Sequence, residues 1–220
     1  MNVEEYRARY QDTDDPAPGW DAIDARLQPI YGDQQPLHWA PDVPASLGGA
    51  DPIDGISAYA CADGGVDHLH FVTYGYSNLY YDEEAIGGEF SKFGFEMTFR
   101  LKSALPPTEE PKWVCNLLQN VAKYVFKSGK HFESGQFVGA GGPIRAGHPT
   151  QIVGLAFLND PTLDPIDTPH GRVEFVQAFG ITQGELDSLK SKSRTATEIV
   201  EARRATNPLL VTDLERRDVA

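Results

Sequence analysis

Cysteine is scarce in this sequence, with 2 among 220 residues, Cys61 and Cys115. Two thiols with no CxxC spacing cannot form a disulfide framework, a zinc ribbon or a redox pair. Each reads as a small buried hydrophobe. Positive charge is also in short supply: 19 Lys and Arg stand against 32 Asp and Glu, giving a net charge of −13. Such a chain repels a phosphate backbone. Its densest basic stretch, Lys190 to Arg204, is interrupted by Glu198 and Glu201. Nucleic acid is therefore excluded as a partner class. Long apolar runs are missing too, since no stretch approaches the ~20 residues of a membrane span. Residues Met1 to Asp15 are polar and acidic, without the basic start and apolar centre of a secretory signal. No membrane association is expected, and the chain reads as a soluble cytoplasmic protein.

Catalytic motifs are equally thin. No GxSxG elbow occurs; Ser77 is followed by Asn78, and Ser134 by Gly135 without the flanking pattern. The loop Gly139-Ala140-Gly141-Gly142-Pro143 superficially resembles a phosphate cradle. It has no GK[ST], and Pro143 removes a backbone donor where a helix start should supply several. His68 and His70 put two imidazoles on one strand face, a spacing that binds zinc only if further ligands converge. His38, Cys61 and several carboxylates are the available donors. Paired histidines on a strand are more often structural, so no metal, cofactor or catalytic residue is assigned.

What is present is a sheet. In Phe93 to Lys102 the odd positions are Phe, Phe, Met, Phe and Leu, and the even positions are Gly, Glu, Thr, Arg and Lys. Successive strand side chains point to opposite faces, so this is a central strand with one face on the core and polar groups on the other. Further strands are expected over Ile56–Cys61, His68–Tyr76, Gln151–Leu158 and Val173–Ile181, with a possible return at Leu209–Asp213. The His68 run is expected to be buried on both faces.

Helices are expected over 21–32, ended or kinked by Pro29, and over Lys112–Phe126, with Trp113, Leu117, Val121, Tyr124 and Val125 on one face. In the first, Ile23, Leu27 and Ile30 share a face. A third begins at Thr182, a cap with Glu185 three residues on; it breaks near 191–197 and resumes to Ala205. Residues 33–55 and 77–89 read as loops. These interleave irregularly, which favours α+β: a single domain with a mixed central sheet flanked by helices. Residues 1–16 form an N-terminal arm and 17–220 the domain.

Ordered segments carry a resemblance. Gly19-Trp20-Asp21-Ala22-Ile23-Asp24, Leu47-Gly48-Gly49-Ala50-Asp51-Pro52, His70 through Tyr80, Phe93 through Leu101, Asp160-Pro161 with Thr168 to Gly171, and Leu210-Val211-Thr212-Asp213 are together similar to the Suppressor of fused family. The resemblance implies a non-catalytic binding domain rather than an enzyme. Two-domain animal members sequester Gli-type transcription factors by clamping an extended peptide. Single-domain versions resemble bacterial members, for which the implied role is immunity, binding and neutralising a partner toxin.

The leading expectation is accordingly an immunity protein, and the alternative is a regulatory adaptor capturing a peptide by strand addition. The partner in both is another protein. The polar, aromatic loop before the central strand carries the expected binding residues: Tyr80, Asp82 and Glu89, the last standing where the family usually has Asp. Four tyrosines (74, 76, 80 and 81) crowd this region, and Tyr supplies apolar area and a hydroxyl together at interfaces.

Overall fold

The fold is that of a computed structural model, which describes residues 1–218. Its centre is the alternating run, here β4 (Phe90–Lys102), flanked in the sheet by β3 (His68–Tyr74) and β8 (Gly171–Thr182). Adding β1 (Leu37–Trp39), β2 (Gly55–Cys61), β5 (Phe137–Gly139), β6 (Ile152–Asn159) and β7 (Ile166–Thr168) gives eight strands. Their order is β1-β2-β3-β4-β8-β6-β5, with β7 pairing β8 off that path. All pairs are antiparallel except β4 with β8, so the sheet is mixed. Together with α1 (Val3–Tyr10), α2 (Pro18–Tyr31), α3 (Lys112–Ser128), α4 (Gln183–Lys190) and α5 (Ala196–Arg204) it makes one α+β domain. Among the described residues no helix is long and apolar enough to cross a membrane.

One face of the sheet is covered by α3. Phe95, Met97, Phe99 and Leu101 of β4 join Val114, Leu118, Val121, Ala122 and Val125 of the helix in the main core. The helix is rotated from the expected face by about one position. Val114, Leu118 and Ala122 are the innermost residues, Trp113 and Leu117 pack at the margin, and Tyr124 is half exposed. Two apolar clusters cover the other face. Ile23 and Leu27 of α2 lie over Tyr59, Val72, Tyr74 and Phe175. Leu186, Leu189, Ile199 and Val200 of α4 and α5 lie over Ala156, Leu158, Phe179 and Ile181.

Several sequence expectations shift in the structure. Pro29 sits inside α2 without ending it, and the chain leaves the helix at Gly32, whose amide bonds to Gln28 O. Ile30 points outward, 40 % exposed. The 33–55 loop contains the short edge strand β1. The C-terminal run 209–213 makes a single parallel bridge, Leu101 with Thr212, rather than a strand. Thr182 does cap α4 through a reciprocal box with Glu185, and Thr195 caps α5 with Glu198 in the same way.

The largest departure concerns the even positions of β4. Three of them do not face water: Glu96 and Thr98 are fully buried and Arg100 is 2 % exposed, while Lys102 at the end of the strand is exposed. The strand is buried on both sides, one apolar and one polar.

Candidate functional site: a loop held by a buried polar face

Between the two apolar clusters the second face is polar. Arg100 grips Asp160 with two nitrogens, Nη1 to Oδ2 at 2.7 Å and Nη2 to Oδ1 at 3.1 Å. Asp160 also accepts from the Thr98 hydroxyl (2.6 Å), the Thr162 amide (2.8 Å) and His70 Nε2 (3.1 Å). Arg100 donates further to Gln177 and Thr162, and Gln177 in turn donates to the carbonyls of Leu209 and Leu210. Strand register dictates this grouping. His70 stands opposite Arg100 on β3, and Thr98 stands opposite Gln177 on β8. The buried ions are thus paired and bonded at nearly every polar atom, the condition under which burying charge is tolerated.

The titration of these groups follows from their setting. Burial alone would raise Asp160, but His70 and Arg100 outweigh it and hold the carboxyl well below the usual range. Burial, reinforced by the Arg100 charge, lowers His70 to about 4. Its hydrogen bonds require the same neutral form: Nε2–H donates to Asp160, while Nδ1 receives the Tyr31 hydroxyl and Arg100 Nη2.

Glu96 extends the polar face toward the loop that follows β3. Its carboxylate accepts from the Gly75 amide (3.0 Å), the Ser77 amide (2.9 Å), the Ser77 hydroxyl (2.7 Å) and the Thr73 hydroxyl (2.7 Å). Burial raises its pKa, and these donors oppose the rise. Gly75 has φ +145 and an ideal Cβ there would lie 3.0 Å from the Asp54 nitrogen, so glycine is needed at this corner. The start of the 77–89 loop is consequently bracketed from below by one carboxylate.

The helix α1 holds the loop from its far side. Tyr6 is fully buried; it stacks on Tyr81 at 4.8 Å, its hydroxyl bonds His170 Nε2 at 2.8 Å and accepts the Asp82 amide at 3.2 Å. Arg7 engages both oxygens of Glu83, at 2.9 and 2.6 Å, and the Tyr81 hydroxyl donates to the same carboxylate.

The expected residues are placed as follows. Tyr80 is 53 % exposed, and burial of its remainder, then Asp54, raises its pKa. Asp82 is exposed and its Oδ1 accepts the Glu84 amide. Glu89 is exposed at the loop's other end, in a shallow depression with Arg9, Asp167 and Arg172. Tyr80 and Asp82 are both exposed two positions apart, whereas Glu89 borders the β7–β8 turn, its carbonyl taking the Arg172 amide. Tyr74 and Tyr76 are core residues and Tyr81 is half-buried. Sequence reasoning missed Phe90, 49 % exposed beside Glu89, and the clasp of Tyr6 and Arg7. The Val3–Tyr10 run carried no apolar stripe to reveal that docking. His68 and His70 do not converge on one site, because His70 is committed to the polar network and His68 bonds the Val66 carbonyl.

Comparison with known proteins places this arrangement. A model of the Suppressor of fused protein family matches residues 49–217. The chain is 35 % identical to the human Suppressor of fused homolog over 211 residues, and equally to the mouse protein. Each alignment covers 90 % of this chain and 43 % of the relative, so the chain spans less than half the length of the curated relatives it matches. Among solved structures, a chain of the Sufu-Fu complex superposes with a TM-score of 0.83 at 30 % identity, covering 92 % of both chains. Drosophila Suppressor of Fused gives 0.82 at 29 %, covering 92 % of this chain and 51 % of that one. A SUFU homolog from Neisseria gonorrhoeae FA 1090 gives 0.59 at 14 %, covering 91 % and 96 %, a likeness of fold alone. With its alternating central strand, its polar second face and a family match over three quarters of its length, the chain belongs to the Suppressor of fused family.

Proposed function

We propose that this chain is a non-catalytic protein-binding domain whose role is immunity: it binds a partner toxin and neutralises it. The observation that carries the proposal is the surface of the 77–89 loop with Phe90, the first residue of β4. Tyr80 and Phe90 are exposed there among Asp82, Glu84 and Glu89. Among the described residues no Lys or Arg lies within ion-pair distance of those three carboxylates. Exposed rings beside unneutralised acids, on a chain of net charge −13, suit a basic polypeptide. Tyr80, Asp82 and Glu89 are the proposed contacts.

A second reading is a regulatory adaptor that captures a peptide by strand addition. It is favoured by the 30 % identical chain solved as the Sufu-Fu complex, and by two sheet edges, β1 and β5, that a peptide can extend. Co-expression separates the two. Under the immunity reading the chain protects cells against the toxin encoded beside its gene and purifies with it, and Tyr80→Ala with Asp82→Ala removes the protection. Absence of both protection and binding defeats that reading. Binding of Fu without any toxin partner moves the assignment to the adaptor.

A further inference from the structure

Outside the loop, one group of potential metal donors is brought together that the proposed protein binding does not use. It lies at the tip of the β2–β3 hairpin. Cys61 and His68 are directly opposite in the strand register, and Asp63 sits in the turn between them. The Cys61 sulfur, an Asp63 oxygen and a His68 ring nitrogen all lie within 4.8 Å of one another. His68 is 1 % exposed, and its Nδ1 faces the Val66 carbonyl at 2.9 Å. That contact requires the proton on Nδ1, which leaves the Nε2 lone pair free and aimed at Asp63 Oδ1, 3.7 Å away. A metal-ligating histidine is fixed in this way, with its other nitrogen donating to a carbonyl.

We propose that Cys61, Asp63 and His68 form a transition-metal site that takes Zn²⁺, with water in the fourth position. Donors on a tetrahedral zinc ion stand roughly 3.4–3.6 Å apart, given bonds of about 2.0–2.3 Å, and the Asp63–His68 separation is already close to that. The donor set of thiolate, imidazole and one carboxylate selects a borderline ion over Mg²⁺ or Ca²⁺. His70, two residues on, is not part of the site: both its nitrogens are engaged, and the Arg100 guanidinium beside it repels a cation.

The free Cys61 side chain is a thiol. Binding breaks that S–H bond, the sulfur pair is donated to the metal and the proton leaves to solvent; nothing is oxidised or reduced. The bound ion staples the turn end of the hairpin, where Ala62, Gly65 and Asp67 border a depression of about 880 Å3.

The test is a Co²⁺ titration of the chelator-stripped full chain followed by absorbance, with competition by Zn²⁺. The expected result is one equivalent bound with a thiolate-to-cobalt charge-transfer band and tetrahedral ligand-field bands, displaced by Zn²⁺. Cys61→Ser should abolish the charge-transfer band, and Asp63→Asn, on an exposed turn, should weaken binding by about tenfold or more. His68→Gln should abolish binding, but it alters a buried side chain, so the first two variants decide. His131→Ala, at the exposed His131–Glu133 pair, should leave the spectrum unchanged. No charge-transfer band in the wild type, or a band that survives Cys61→Ser, overturns the proposal.

Discussion

The two faces of β4 are the same strand seen from opposite sides, equally dry and chemically unlike. Phe95, Met97, Phe99 and Leu101 face α3 across a continuous apolar core. Glu96, Thr98 and Arg100 face a network of acids, hydroxyls and amides that is as fully removed from water. The apolar face stabilises by area and packing and would tolerate repacking. The polar face is tolerated only while every partner is present. It positions named segments: Asp160 fixes the 160–163 turn, Gln177 fixes 209–210, and Glu96 fixes 75–77 at the root of the proposed binding loop. Apolar burial holds the domain together, and directional bonding sets the position of the loop.

The sharpest way to break the comparison is to remove one partner of the buried pair. Asp160→Ala leaves Arg100 charged and unpaired, and should destabilise by about 3–5 kcal/mol, read by urea unfolding. Asp160→Leu with Arg100→Met should recover a large part of that loss, because the uncompensated charge goes with its partner. A double variant no more stable than the single one would show that the network contributes more than mutual compensation. On the opposite face, Met97→Ala should cost about 2–4 kcal/mol by cavity formation, with no rescue from any charged neighbour.

Acid separates the faces without mutation. His70 has its folded pKa lowered to about 4, below an unfolded value of 6.5. The unfolded chain therefore binds more protons between those values, and stability falls as pH drops from about 6.5 to about 4. Asp160, also lowered, acts in the same direction below its unfolded value of 3.8. The unfolding midpoint should decline through that window, and His70→Asn should flatten the decline above pH 4. A wild-type midpoint independent of pH from 6.5 to 4 would mean His70 is not held neutral. The smallest effect on folding is expected outside both faces. Tyr80→Ala with Asp82→Ala should shift stability by about 1 kcal/mol or less while weakening the partner complex.

Much of the scaffold was legible because its signals are local. Period-two alternation located β4, and the capping box at Thr182 located the start of α4, whereas the box at Thr195 that starts α5 was missed. The polar face was not legible. Glu96, Thr98 and Arg100 alternate as solvent-facing residues would, and Asp160, the partner that Thr98 and Arg100 share, lies 60 positions beyond Arg100, in a turn. Pairing with β3 and β8, and the 160–162 and 209–210 segments bonded across this face, enclose them. The candidate loop was found through its tyrosines and acids, whereas its clasp to α1 depends on Tyr6, a single buried ring in an otherwise polar helix. Cys61 and His68 were both visible in the sequence, but the hairpin register that pairs them was not.

Hydrogen exchange of Glu96→Gln tests most directly whether the polar face holds the loop. The amide replaces one accepting oxygen with a donor that faces other donors, so the bracket around 75–77 should loosen while the apolar core stays intact. The account predicts that Gly75 and Ser77 amides lose at least about tenfold of their protection, roughly 1.4 kcal/mol, while the β8 amides keep theirs. Uniform loss across β8 and the loop, or unchanged protection at Ser77, would contradict it.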